Sequence, residues 1–141
     1  MAQILIVDDN RSRLRALQAA LPHHKLVCTT NVERALTAMF TRHFELLIAP
    51  IYLDSGDIFT LVRSVFELKK DLRIVLVSTD KEQTSRYATD PIQTAAGFLG
   101  VYRYILMDAP DTVTLKAELE RCLPAECLAT LSSDTGTIYE L

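Results

Sequence analysis

Apolar runs short enough to be strands alternate with amphipathic, helix-length segments five times along this chain of 141 residues. That alternation predicts a parallel sheet with helices on both faces and right-handed crossovers. The first run, Ile4-Leu5-Ile6-Val7, is unbroken in its apolar character and reads as a strand buried on both faces. It stops at two adjacent carboxylates, Asp8 and Asp9. Neighbouring carboxylates repel, so the end of a buried strand holds both more readily beside a cation. Ligands in such sheets sit beyond the carboxyl ends of the strands. The acidic pair is therefore a candidate cation site, with capping of the next helix by Asp9 or Asn10 as the plainer alternative.

Taken in order, Leu14, Leu17 and Leu21 recur at helical spacing with Ala16 and Ala20 between them, and Pro22 ends the helix. Arg11, Arg13 and Arg15 read as its solvated face. Residues 25–30 are strand-like, and Asn31 caps a helix over residues 32–42 with Val32, Ala35, Leu36, Met39 and Phe40 as its buried stripe. Residues 44–49 form a central strand that Pro50 terminates. After a turn-rich loop with a cap at Asp57, residues 58–68 form a helix with Ile58, Leu61, Val62, Val65 and Phe66 inward. Residues 72–77 and 101–106 are further strands. Between them, helical character over residues 81–88 is interrupted at Asp90-Pro91 and resumes over 92–96. A last helix carries Val113, Leu115, Leu119, Cys122 and Leu123, and residues 124–141 read as a short helical turn and a loosely held tail.

An open doubly wound sheet suits this length, since a closed barrel needs roughly 200 residues or more. Residues 1–123 make one domain and 124–141 its C-terminal tail. A net charge of −3 gives no general electrostatic reason to bind nucleic acid. The apolar runs are strand-sized, so no membrane span is expected, and the chain enters its first strand without a leader-like segment. The cytoplasm is the expected location. Cys28, Cys122 and Cys127 show no metal-ligand spacing and read as buried free thiols; His23, His24 and His43 fall at element edges.

In this order, Ile4-Leu5-Ile6-Val7-Asp8-Asp9-Asn10 resembles the opening of a response-regulator receiver domain of two-component systems. Ala35-Leu36 resembles that family's Glu-Ala-Leu signature, Asp57 its Asp-Gly at the third helix, and Ile74-Val75-Leu76-Val77-Ser78-Thr79 its fourth strand with a terminal hydroxyl. Gly100-Val101-Tyr102-Arg103-Tyr104 resembles the Gly-Ala-x-x-Tyr that enters the fifth strand. The resemblance implies a three-layer, flavodoxin-like α/β fold, a five-stranded parallel sheet of order 2-1-3-4-5. It implies a phosphorelay role without enzymatic turnover of its own. Its partners would be a signalling kinase, another response regulator or an effector. Homodimerisation and partner binding would use the face of the fourth helix, fifth strand and fifth helix.

Receiver chemistry, as the family performs it, combines an acidic pair and an aspartate nucleophile around Mg²⁺ with a Ser/Thr hydroxyl and a lysine on the phosphoryl oxygens. Here Asp8, Asp9 and Ser78 are present, with Thr79 beside Ser78. The nucleophile position falls on Pro50 and the lysine position on Met107. Proline has no nucleophile and methionine no charge, so the resemblance points to a degenerate pseudo-receiver that works without phosphorylation through protein contacts. Asp8 and Asp9 would hold Mg²⁺ weakly at best. Tyr104 has the place of the family's switch aromatic, coupled to Ser78 and Thr79. Two rival readings stay open: a rearranged acceptor using Asp54 with Mg²⁺, and a flavodoxin-type protein binding a small ligand at the same crevice. Against the latter, no Gly-rich loop follows the first strand and no nucleophile–base pair is visible.

Overall fold

The structure is a computed structural model that describes residues 2–50, 58–68, 71–78, 101–106, 112–124 and 136–141. The described elements are β1 (Gln3–Val7), α1 (Arg11–Ala20), β2 (Lys25–Thr29), α2 (Val32–Thr41), β3 (Leu46–Ala49), α3 (Ile58–Leu68), β4 (Arg73–Ser78), β5 (Arg103–Leu106), α4 (Thr112–Arg121) and β6 (Thr137–Glu140). Every pairing is parallel, in the order β5-β4-β3-β1-β2-β6. Among the described residues the sheet thus has six strands where five were expected. The sixth comes from the tail: residues 137–140 hydrogen-bond alongside β2 rather than hanging loose.

β1 and β3 lie in the middle, and their continuous apolar runs divide by strand parity between two cores. Ile4, Ile6, Leu46 and Ile48 pack with Leu17, Ala20, Leu115 and Leu119 on the α1–α4 face. Leu5, Val7 and Leu47 pack with Ala35, Met39, Leu61 and Val65 on the α2–α3 face. Fully burying such a side chain contributes about 1.5–3 kcal/mol, so these two strands anchor the fold. Asn10 and Asn31 cap α1 and α2, each side chain accepting backbone N–H bonds from the first turn.

Three residues expected inward point out: Phe40 is 63% exposed, Phe66 49% and Val113 79%. Each stands off the stripe its helix uses. Phe40 follows Met39 and Phe66 follows Val65, about 100° further round the helix, and Val113 stands about 200° from Leu115. Cys28 and Cys122 are free and buried, and burial pushes both thiols up. Cys127 lies outside the described residues, as do the helical segments expected between residues 81 and 96. No helix among the described residues is long and apolar enough to cross a membrane.

Candidate functional site

Parallel register brings the site positions to one end of the sheet. Continuing the pairing Ile6↔Ile48 by two residues sets Asp8 alongside Pro50, which is buried directly after β3. Ser78 closes β4 opposite Leu106 of β5, and Tyr104 stands in β5 opposite Leu76. Asp54, Asp57, Thr79 and Met107 lie outside the described residues.

Asp8 is 1% exposed, and its charge is met from within the chain. Arg13, itself 2% exposed, sets its guanidinium against the carboxylate: Nε donates to Oδ2 at 2.5 Å and one terminal nitrogen donates to Oδ1 at 2.8 Å. The backbone N–H of Asn10 also donates to Oδ1, at 2.9 Å. The Asp8 N–H reaches back to the Thr29 carbonyl at 3.0 Å, fixing the strand end from which the carboxylate projects. A fork-shaped guanidinium making two parallel charge-assisted bonds is among the strong pairings open to a carboxylate.

The expectation of three solvated arginines is therefore corrected. Arg11 and Arg15 are exposed, but Arg13 is buried. The reason lies in helix geometry. The buried line of α1 is Arg13, Leu17 and Ala20, at i, i+4 and i+7, with Leu14 only partly buried. Asn10 fixes the helix start by accepting the Arg13 N–H at 3.0 Å, which turns the Arg13 side chain toward the end of β1. A signal was available in the sequence. A cation in the first helical turn opposes the macrodipole, and Arg11 and Arg13 with no acidic residue there call for a nearby anion.

Arg13 engages both Asp8 oxygens, so a divalent ion at this carboxylate would compete with the guanidinium. Hard cations need several oxygen ligands. Among the described residues no three His, Cys, Asp or Glu side chains lie close enough to share one ion. Asp9 is half-buried next to the pair. Among the described residues the charge of Asp8 is met by the chain itself.

No protein-family model and no curated protein matches the sequence. Solved structures do resemble the fold. The signal receiver domain of an HD domain-containing protein from Pseudomonas fluorescens Pf-5 superposes with a TM-score of 0.72 at 23% identity, covering 86% of each chain. A CheY-like response-regulator receiver domain from Methanospirillum hungatei gives a TM-score of 0.72 at 18% identity over 86% of this chain and 92% of its own. The chemotaxis response regulator CheY4 of Vibrio cholerae gives 0.69 at 20% identity over 87% and 99%. On these superpositions the chain has the fold of response-regulator receiver domains.

Proposed function

We propose that this chain is a receiver-fold signalling module that takes no phosphoryl group and no Mg²⁺ and acts by binding a protein partner. The observation that carries this reading is the buried Arg13–Asp8 pair beside Pro50. A carboxylate attacks an anionic phosphoryl group only where cations offset the charge that gathers. Here the nucleophile position holds proline, the lysine position holds Met107, and the cation nearest Asp8 is spent on Asp8. The pair replaces the metal's electrostatic role without its ability to bind a ligand.

Ser78, Thr79 and Tyr104, the positions of the family's switch, then answer to a partner rather than to a phosphoryl group. A partner shifts such an equilibrium only by binding one state better than the other. The partner-binding face is that of the family's fourth helix, fifth strand and fifth helix. The first falls outside the described residues; the others are β5 and α4, where Tyr102 and Arg103 are exposed. The partner is a kinase, another response regulator or an effector. The module catalyses nothing itself and works in the cytoplasm.

Incubation with Mg²⁺ and acetyl phosphate tests this. Intact mass stays unchanged, and beryllofluoride leaves the amide NMR spectrum unperturbed. A mass gain of one phosphoryl group mapped to Asp54 would instead establish the rearranged acceptor.

A further inference from the structure

The two edges of the sheet are finished differently. At β5, Arg103 pairs with Glu118 of α4, and Arg73 stacks over the Tyr102 ring at 4.8 Å. At β6 all four strand residues are exposed, and Ile138, Tyr139 and the following Leu141 are 49%, 42% and 40% exposed. Open edges are commonly blunted by lysine, proline, a bulge or an inward charge. The sequence Thr137-Ile138-Tyr139-Glu140 has no lysine or proline, and its first three residues are strong strand formers. Among the described residues no strand pairs with the outer side of β6.

We propose that β6 is a homodimerisation edge, on which a second copy of this chain adds its own β6 antiparallel about a two-fold axis at Tyr139. The backbone sets the register. The Leu141 N–H is turned inward, donating to the Cys28 carbonyl at 2.8 Å. Alternation along the strand then turns the N–H and C=O groups of Ile138 and Glu140 outward. Pairing Ile138 with Glu140 of the copy, and Glu140 with its Ile138, satisfies those groups reciprocally and leaves Tyr139 opposite Tyr139. A two-fold axis requires this kind of self-complementary patch.

Side-chain parity agrees. Val27↔Tyr139 continues across the axis as Val27–Tyr139–Tyr139–Val27, one unbroken apolar row on the α2 face. Thr137 of the copy falls opposite Leu141, which lines an open groove of about 470 Å³ along α2 with Ala38, Thr41 and Arg42. Moving the axis to Glu140 would set like charges directly opposite, which destabilises. Moving it to Ile138 would carry Leu141 opposite residue 135, which lies outside the described strand. Lys25 lies 5.2 Å and the Arg42 guanidinium 5.7 Å from the Tyr139 ring centre, holding each ring in place. The backbones of the two Lys25 residues would stand three strand spacings apart and four residues offset along the strand, roughly 20 Å, beyond the screening length of about 8 Å at physiological salt.

This association is independent of whether the crevice accepts phosphate. It is tested by sedimentation equilibrium of the full chain. We expect a monomer–dimer equilibrium with a Kd on the order of 100 µM, as suits a small interface. Ile138→Pro deletes one outward N–H and leaves the β2 ladder intact, the setting in which an edge strand tolerates proline. It should raise Kd at least about tenfold, and Tyr139→Lys should do the same by adding like charges at the axis. Unchanged amide shifts for Val27 and Cys28 show that β6 still docks in each variant. A chain that stays monomeric to about 1 mM overturns the proposal and leaves the edge to an extended segment of another protein. A dimer indifferent to both variants but weakened by Arg103→Glu overturns it in favour of the β5 face.

Discussion

The carboxyl and amino ends of the sheet each bury an ionisable side chain, and they solve the problem in opposite ways. At the carboxyl end Asp8 is met by partners on both oxygens: Arg13 and the Asn10 N–H donate to them. At the amino end His24, 2% exposed, has one ring nitrogen satisfied, Nδ1 accepting the Ala2 N–H at 3.1 Å, while Nε2 has no hydrogen-bond partner among the described residues. Its pKa is lowered from 6.5 to about 4, chiefly by burial and then by the positive charges of the α-amino group, His23 and Lys116. One end is stabilised by a charge pair and the other by staying neutral. A buried pair fails when one member is deleted; a buried neutral imidazole tolerates deletion better and fails in acid.

The largest effect expected from that contrast is at Arg13. Removing one partner of a buried ion pair leaves an uncompensated charge and costs about 3–5 kcal/mol, whereas replacing both by apolar side chains is often close to neutral. Arg13→Met should therefore lower the urea-unfolding free energy by about that amount, and Asp8→Leu with Arg13→Met should recover most of it. Equal losses in the single and double variants would show that the pair contributes packing rather than charge. If Arg13→Met still folds and gains Mn²⁺ affinity absent from the parent, the guanidinium is what excludes the metal.

Acid should act at the other end. The unfolded chain protonates His24 near 6.5 and the folded chain only near 4, so between these values the unfolded state binds more protons. The contribution of the neutral imidazole is complete above pH 6.5 and is lost as pH falls toward 4. The loss is on the order of 2–3 kcal/mol at about 1.4 kcal/mol per pH unit. Urea titrations across that window should show this slope, and His24→Leu should flatten it. A slope unchanged by His24→Leu would assign the acid sensitivity to other groups.

The parts of the fold that sequence made legible are those whose burial is continuous. β1 and β3 have no exposed side chain to break their apolar runs, and the strand–helix alternation gave the parallel sheet. β6 was illegible because it buries no residue: each of Thr137-Ile138-Tyr139-Glu140 is exposed, and the strand is too short for a periodic signal and ordered by the ladder to β2. The site divided in the same way. Asp8, Pro50 and Ser78 could be placed because strand ends in a parallel sheet share one edge. Arg13 could not, because charge alone made it look outward, although its spacing to Leu17 put it on the buried line.

The amino end also offers the smallest of these effects, at Gly136. Its N–H donates to the Pro22 carbonyl at 2.6 Å where the chain enters β6, and a Cβ built there would collide with the backbone carbonyl and amide of His24. Backbone cannot turn aside as a flexible side chain can, so the entry to β6 must shift. Overpacking of this kind costs about 1–3 kcal/mol, and the lower part of that range is expected because β6 buries none of its own residues. Gly136→Ala should speed amide exchange at Leu141, whose N–H holds the Cys28 carbonyl, and leave Ile6 and Ile48 as protected as before. Because His24 is the residue struck, the variant should also move the acid transition, linking strand and imidazole as one unit. If Leu141 exchanges faster while the acid transition stays in place, β6 and His24 are separate devices, and the amino end is held by the imidazole alone.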